Sequence, residues 1–199
     1  MFQQQAYQAF RAKDRAHLQQ LANTATLSDA LRAKITILCA LHAEAPVALP
    51  AASATTADLS DLPFQSASVG WGKPLRNQVY QEQGATPLLE VGTASYEKGL
   101  YAHAPACNTY ALDGTWQQLS GLYGLQNGHD GSVVFVIHVD GQERFRSDQI
   151  KDHTPHPFTV DIRGARRLEL IVEDGGNGTH SDWGVWLNPR IERQKARSL

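Results

Sequence analysis

Gly131–Gly141 reads Gly-Ser-Val-Val-Phe-Val-Ile-His-Val-Asp-Gly, and this stretch decides the fold. Ser132–Asp140 is rich in β-branched and aromatic residues, the strongest strand signal in the chain. It ends in Asp140-Gly141, a dipeptide suited to the positive φ angles of a tight hairpin. Gln142–Ser147 returns from that turn. Further on, Phe158, Val160 and Ile162 alternate on one face, and Arg163-Gly164 turns the chain into Arg167–Glu173. There Leu168, Leu170 and Val172 alternate in the same way. Val185 and Leu187, with Ile191 beyond Pro189, close the pattern, and Ala106–Leu112 is a strand-like run upstream. Six to nine short strands at this spacing, with no helix between them, predict an all-β fold: an antiparallel β-sandwich over residues 59–192.

Before residue 59 the period changes. Tyr7, Phe10, Leu18 and Leu21 lie near one face of a helix. Leu27, Leu31, Ile35, Leu38 and Leu41 recur at spacings of three and four, with Ser28 as N-cap and Asp29 in the first turn. Residues 1–45 are therefore expected to form a leader of two helices, a hairpin too short to be stable without packing on itself or on the sandwich. Residues 46–58, with Pro46, Pro50 and a run of small residues, read as a linker, and residues 193–199 as a tail.

Composition narrows the function. The chain has 199 residues with 42% hydrophobic content, enough for a sizeable core, and 16 Gly and 9 Pro that call for many turns. A net charge of -2 gives no electrostatic reason to expect nucleic acid or an anionic membrane as partner. No stretch of eighteen or more apolar residues is present, so no helix is expected to span a bilayer. Cys39 and Cys107 make no disulfide framework and read as small buried hydrophobes. The polar, Gln-rich first twenty residues lack the form of a signal peptide. Leu31–Ala52 carries Arg32 and Lys34 before an apolar run, but His42 and Glu44 interrupt it, and an amphipathic helix fits better.

Sugars are held by flat aromatic faces against C–H-rich ring faces and by planar polar side chains on hydroxyls. Three segments offer both: Lys98 with Tyr101-Ala102-His103, Gln126–Asp130, and Asn177–Trp183. The candidate site convergence is His103, Asp182 and Trp183, with Lys98, Tyr101, Asn127 and His180 nearby. Each also has a plainer reading. Trp183 is as readily a core residue as a platform, and His103, between two alanines, is as readily a structural histidine. Tyr96 and Trp186 alternate with apolar neighbours and belong to the core. His153 and His156 are separated by prolines and joined by no cluster at zinc-like spacing. For catalysis, Asp174 and Asp182 flank one loop, but glycoside hydrolysis needs two carboxylates about a cleft and nothing marks either as a raised acid. No Gly-x-Ser-x-Gly elbow, phosphate loop or dinucleotide fingerprint occurs.

Seven segments in order carry a family resemblance: Asp61–Gly72, Ser95–Pro105 (with Lys-Gly-Leu-Tyr-Ala-His-Ala), Thr109–Gly114, Gly121–Leu125, Gly131–Gly141 (with Val-Asp-Gly), Gly164–Gly178 and Ser181–Trp186 (with Asp-Trp). Together they resemble the NPCBM-type carbohydrate-binding module, a galactose-binding-like jelly roll, from about residue 57 to residue 191. The resemblance implies a lectin-like module that binds a terminal galactose-like sugar without cutting it. Such a module is attached to or paired with a glycoside hydrolase and works outside the cytoplasm. It is also compatible with a structural calcium ion, at no position the sequence marks. The helical leader is the expected docking element for a partner enzyme or for self-association. Two departures stand out: Gln126–Asp130 replaces the family's acidic pair, and Gly178–Trp186 is shorter than usual and carries a second tryptophan. They keep two alternatives open. One is a protein-interaction sandwich that has lost sugar binding; the other is a small hydrolase or lyase using Asp174, Asp182 and His103.

Overall fold

The computed structural model describes residues 1–43, 47–81 and 86–193. The Asp140-Gly141 turn forms as the sequence predicts, with φ of 50° and 78°. It joins β9 (Val133–Val139) to β10 (Gln142–Arg146). β12 (Arg167–Asp174) pairs with the other edge of β9, followed by β7 (Ala106–Ala111) and β2 (Ser66–Ser68), giving the sheet order β10-β9-β12-β7-β2. The facing sheet runs β11-β8-β13-β6-β3. Its strands are β11 (His156–Asp161), β8 (Gln118–Leu125), β13 (Trp183–Glu192), β6 (Gly99–His103) and β3 (Leu75–Arg76). Every pairing is antiparallel.

Strand alternation fills the space between the sheets. Phe135, Ile137, Leu168, Leu170 and Val172 come from one side, and Leu100, Leu119, Leu125, Trp186 and Ile191 from the other. Trp186 meets Phe135 edge-on at 5.0 Å. Trp186 is thus core, as its pattern indicates, and Pro189 does not end its strand. A bulge between Leu187 and Arg190, with Asn188 at φ 47°, carries β13 through to Glu192.

The linker boundary moves. Residues 56–58 are not linker but β1 (Thr56–Asp58), hydrogen-bonded to the far end of β13. The Arg193 guanidinium donates to the carbonyls of Ala51, Ala52 and Ala54, strapping the segment before β1 to the sandwich.

The leader is also corrected, from two helices to three: α1 (Phe2–Arg11), α2 (Arg15–Ala22) and α3 (Asp29–His42). Lys13 adopts φ 57° and breaks the helix expected to run through it, and Asp14 caps the new N-terminus by accepting from the His17 amide at 2.9 Å. Ser28 caps α3 as the sequence indicates, accepting from Leu31 N at 3.4 Å. Tyr7, Leu18, Leu21, Leu27, Ile35 and Leu38 form one apolar cluster, and Leu88 of the sandwich domain belongs to it.

That contact runs through a two-stranded ribbon, β4 (Leu89–Val91) with β5 (Ala94–Tyr96), which stands outside both main sheets. The ribbon covers the outer face of the β6–β13 sheet. Leu89 and Val91 there join Tyr101, Trp183, Val185 and Leu187 in a second, smaller core.

Candidate functional site

Trp183 opens β13 and pairs in register with His103, the last residue of β6. The end of β6 and the start of β13 are therefore neighbours by sheet geometry, without help from side chains. The loop before Trp183 is fixed by Asp182. Its Oδ1 accepts from Ser132 N at 2.8 Å, and its carbonyl accepts from Ala104 N at 2.9 Å. The loop at Gly131 approaches so closely that a Cβ there would lie 2.2 Å from the Ser181 carbonyl oxygen, so only glycine fits. Asp182 is fully buried. Burial pushes its carboxyl above the ordinary carboxylate range, against the pull of the Ser132 amide and of His103.

Trp183 is only 4% exposed. The His129 imidazole lies on its face, centroids 3.9 Å apart and planes 11° from parallel. His103 meets it edge-on at 5.9 Å, and Tyr101 packs beneath at 5.2 Å. Beside this stack stands Trp71, 53% exposed. Its loop is tied to β6 by backbone: Gly70 N donates to His103 O at 2.9 Å, and the Tyr101 hydroxyl donates to the Trp71 carbonyl at 3.1 Å. The result is an open cleft of about 430 Å³ between Trp71 and the Trp183–His129 stack, with His103, His180, Thr179 and Ser181 completing its wall.

The chemistry of this cleft is that of hydroxyl recognition. Imidazoles and hydroxyls donate and accept, as sugar hydroxyls do. The exposed Trp71 ring offers an apolar plane for a pyranose face. No Asp, Glu, Lys or Arg lines it.

The structure gathers His103, His180 and Trp183 from the sequence-predicted set and places the other four elsewhere. Lys98 precedes β6 at the end away from the cleft and pairs with Asp61 at 2.6 Å. Five residues of strand, about 16 Å at 3.3 Å per residue, separate it from His103. Tyr101 alternates to the same face as His103 but is fully buried under Trp183, a support rather than a platform. Asn127 is occupied with the ribbon turn, accepting from Gly92 N at 3.0 Å and donating to Gly92 O at 2.9 Å. Asp182 holds loops together and does not line the cleft.

Trp71 is the residue the sequence reading passed over, and His129 lies in the candidate segment Gln126–Asp130 without being singled out there. Both had a signal. Trp71 stands between two glycines, a loop-like context. His129 follows Gly128, whose φ of 85° turns the loop. Among the described residues no three His, Cys, Asp or Glu side chains gather closely enough to share a metal ion, and no side-chain set locates the calcium that the resemblance allows.

A jelly-roll sandwich with this sequence is a carbohydrate-binding module, and at one end it carries an aromatic, histidine-walled cleft lined by no Asp, Glu, Lys or Arg. Residues 55–192 match the NPCBM/NEW2 domain, and the chain belongs to that family. A curated relative, a putative endo-alpha-N-acetylgalactosaminidase of Renibacterium salmoninarum, is 29% identical over 129 residues, which is 62% of this chain and 8% of that protein. The CBM51 module from a Clostridium perfringens GH95 protein, solved in complex with methyl-galactose, is 29% identical with a TM-score of 0.61. That match covers 69% of this chain and 99% of the module. CBM51-2 of Clostridium perfringens ZmpB, solved with GlcNAc, is 21% identical with a TM-score of 0.59, covering 71% of this chain and 32% of that one, a likeness of fold. The leader lies outside the family match.

Proposed function

We propose that the cleft between Trp71 and the Trp183–His129 stack binds one terminal, neutral, galactose-like sugar, and that the chain tethers a glycan-active partner to its substrate. The carrying observation is the wall itself: an exposed tryptophan beside three histidines and two hydroxyl side chains, with no carboxylate. Hydrolysis of a glycosidic bond requires two carboxylates about the scissile bond. Two acids adjoin cleft residues in sequence: Asp182 is buried with Oδ1 already engaged, and the exposed Asp130 does not line the cleft. Binding without cleavage is what the lining supports. The complex of the 29%-identical module with methyl-galactose supports the sugar class.

A shallow site for a single sugar binds on the order of 1 mM. Useful retention then comes from linkage to something else that holds the same surface. The relative from Renibacterium salmoninarum, in which the matching segment is a small part of a large putative glycosidase, supports an enzyme as that partner.

A glycan array followed by isothermal titration, with and without calcium, tests this. Terminal galactosides are expected to give saturable binding that weakens about tenfold in Trp71→Ala. A flat response to all neutral sugars would overturn the reading and favour a protein partner.

A further inference from the structure

The strand that lies under the cleft has two faces, and the leader holds the other one. In and beside β4, side chains alternate with the period of two that every strand imposes. Leu89 and Val91 point into the small core that contains Trp183. Leu88 and Glu90 point the opposite way. Leu88 is buried in the helical cluster, and Glu90, 8% exposed, accepts from Lys34 of α3 at 2.7 Å and from Ser95 Oγ at 3.0 Å. The Tyr7 hydroxyl of α1 accepts from Thr86 Oγ1 at 3.1 Å, two residues before Leu88.

The backbone of β4 and its neighbours in turn anchors the loop that carries His129. Gln126 Oε1 accepts from Glu90 N at 2.9 Å, and Gln126 Nε2 donates to Leu88 O at 3.0 Å. Asn127 N donates to Glu90 O at 2.8 Å, and the Asn127 side chain closes the ribbon turn at Gly92. Gln126 N reaches the Trp183 carbonyl at 2.9 Å. After Gly128, the next residue is His129, stacked on Trp183. Where the resemblance leads one to expect acids, the Gln126 amide grips β4 and the residue before it, and the Asn127 amide grips the turn that follows.

We propose that the helical leader positions the sugar cleft, acting through Lys34, Leu88 and Glu90 on β4 and from there through Gln126-Asn127 on His129. Lys34, Leu88 and Glu90 are positioning residues and touch no sugar. Burial works against the charge on Lys34, and the Glu90 hydrogen bond and charge outweigh it, leaving the ammonium pKa raised. Removing Lys34 leaves a largely buried carboxylate short of its cation, which shifts or loosens the strand that carries it. The function of the coupling rests on the sugar-binding reading above; the coupling itself does not.

Two readouts on the full chain separate them. Hydrogen exchange of amides 126–130 needs no ligand. Lys34→Ala is expected to raise exchange there, and Lys34→Arg to restore it. Methyl-galactoside titration is expected to show affinity weakened about three- to tenfold in Lys34→Ala, the size of effect that residues remote from a site exert on it. In a His129→Ala background Lys34→Ala should add little further, because the double-mutant cycle removes the intermediary. Unchanged exchange in Lys34→Ala would overturn the proposal, as would an equal affinity loss with and without His129, which marks general loosening. Raised exchange in a protein that binds no sugar would support the coupling while removing the sugar reading.

Discussion

Trp116 and Trp71 stand in loops at opposite ends of the sandwich, each beside a glycine-bearing turn, and their environments differ. Trp116 is 3% exposed. The Arg193 guanidinium lies over its ring at 4.4 Å while donating to Ala51, Ala52, Ala54 and Thr115. Trp71 keeps 53% of its surface in water, beside a wall of imidazoles and hydroxyls. The difference lies in packing: Trp116 belongs to the main core and Arg193 closes over it, whereas Trp71 keeps about half of its surface in water. An aromatic ring in a loop can offer a face to a ligand only where part of that face stays in water. Depressions also exist near the sealed end, but charged pairs such as Asp161–Arg163 line them, and Trp116 contributes no ring.

Four substitutions sharpen this contrast, taken from the largest effect downward. Trp183→Ala empties the junction of the small core and removes the surface on which His129 rests. Chemical denaturation should show a loss of about 3–5 kcal/mol, with sugar binding abolished. Trp71→Ala should leave stability within about 0.5 kcal/mol, as for surface positions. It should cost about tenfold in affinity by titration, the worth of one aromatic face. Arg193→Ala uncovers Trp116 and releases the strap; a stability loss of about 1–2 kcal/mol is expected, with affinity unchanged. Lys98→Ala breaks one half-exposed ion pair with Asp61. It should cost under about 1 kcal/mol and leave binding intact, which separates this lysine from the site.

The sandwich was legible because its signals are local. Val133–Val139 is a run of β-branched and aromatic residues broken only by His138, and Asp140-Gly141 writes its own turn. Ser28 announced α3 for the same reason. The break at Lys13 was not legible: a lysine at φ 57° is a conformation its sequence does not advertise. β1 was missed because three residues of Thr-Ala-Asp carry no apolar period and gain their strand from a partner near the C-terminal end.

The cleft was half legible. His103 and Trp183 follow from two strands whose ends must meet, and His180 from the loop that leads from β12 into β13. Asn127 and Lys98 failed because a polar residue near a loop says nothing about where its hydrogen bonds go. Here those bonds go to Gly92 and Asp61. Asp182 failed for a related reason: its acidic side chain is placed by Ser132 and buried, which sequence pattern does not encode.

The chain has four tryptophans, and their indole N–H signals form a ready reporter of both ends and the core at once. Titration with methyl-galactoside, followed by two-dimensional NMR, should shift the Trp71 and Trp183 signals together and saturably, leaving Trp116 and Trp186 in place. No movement of Trp71 at saturating sugar, or movement confined to Trp116, would contradict the assignment of the open end as the sugar site.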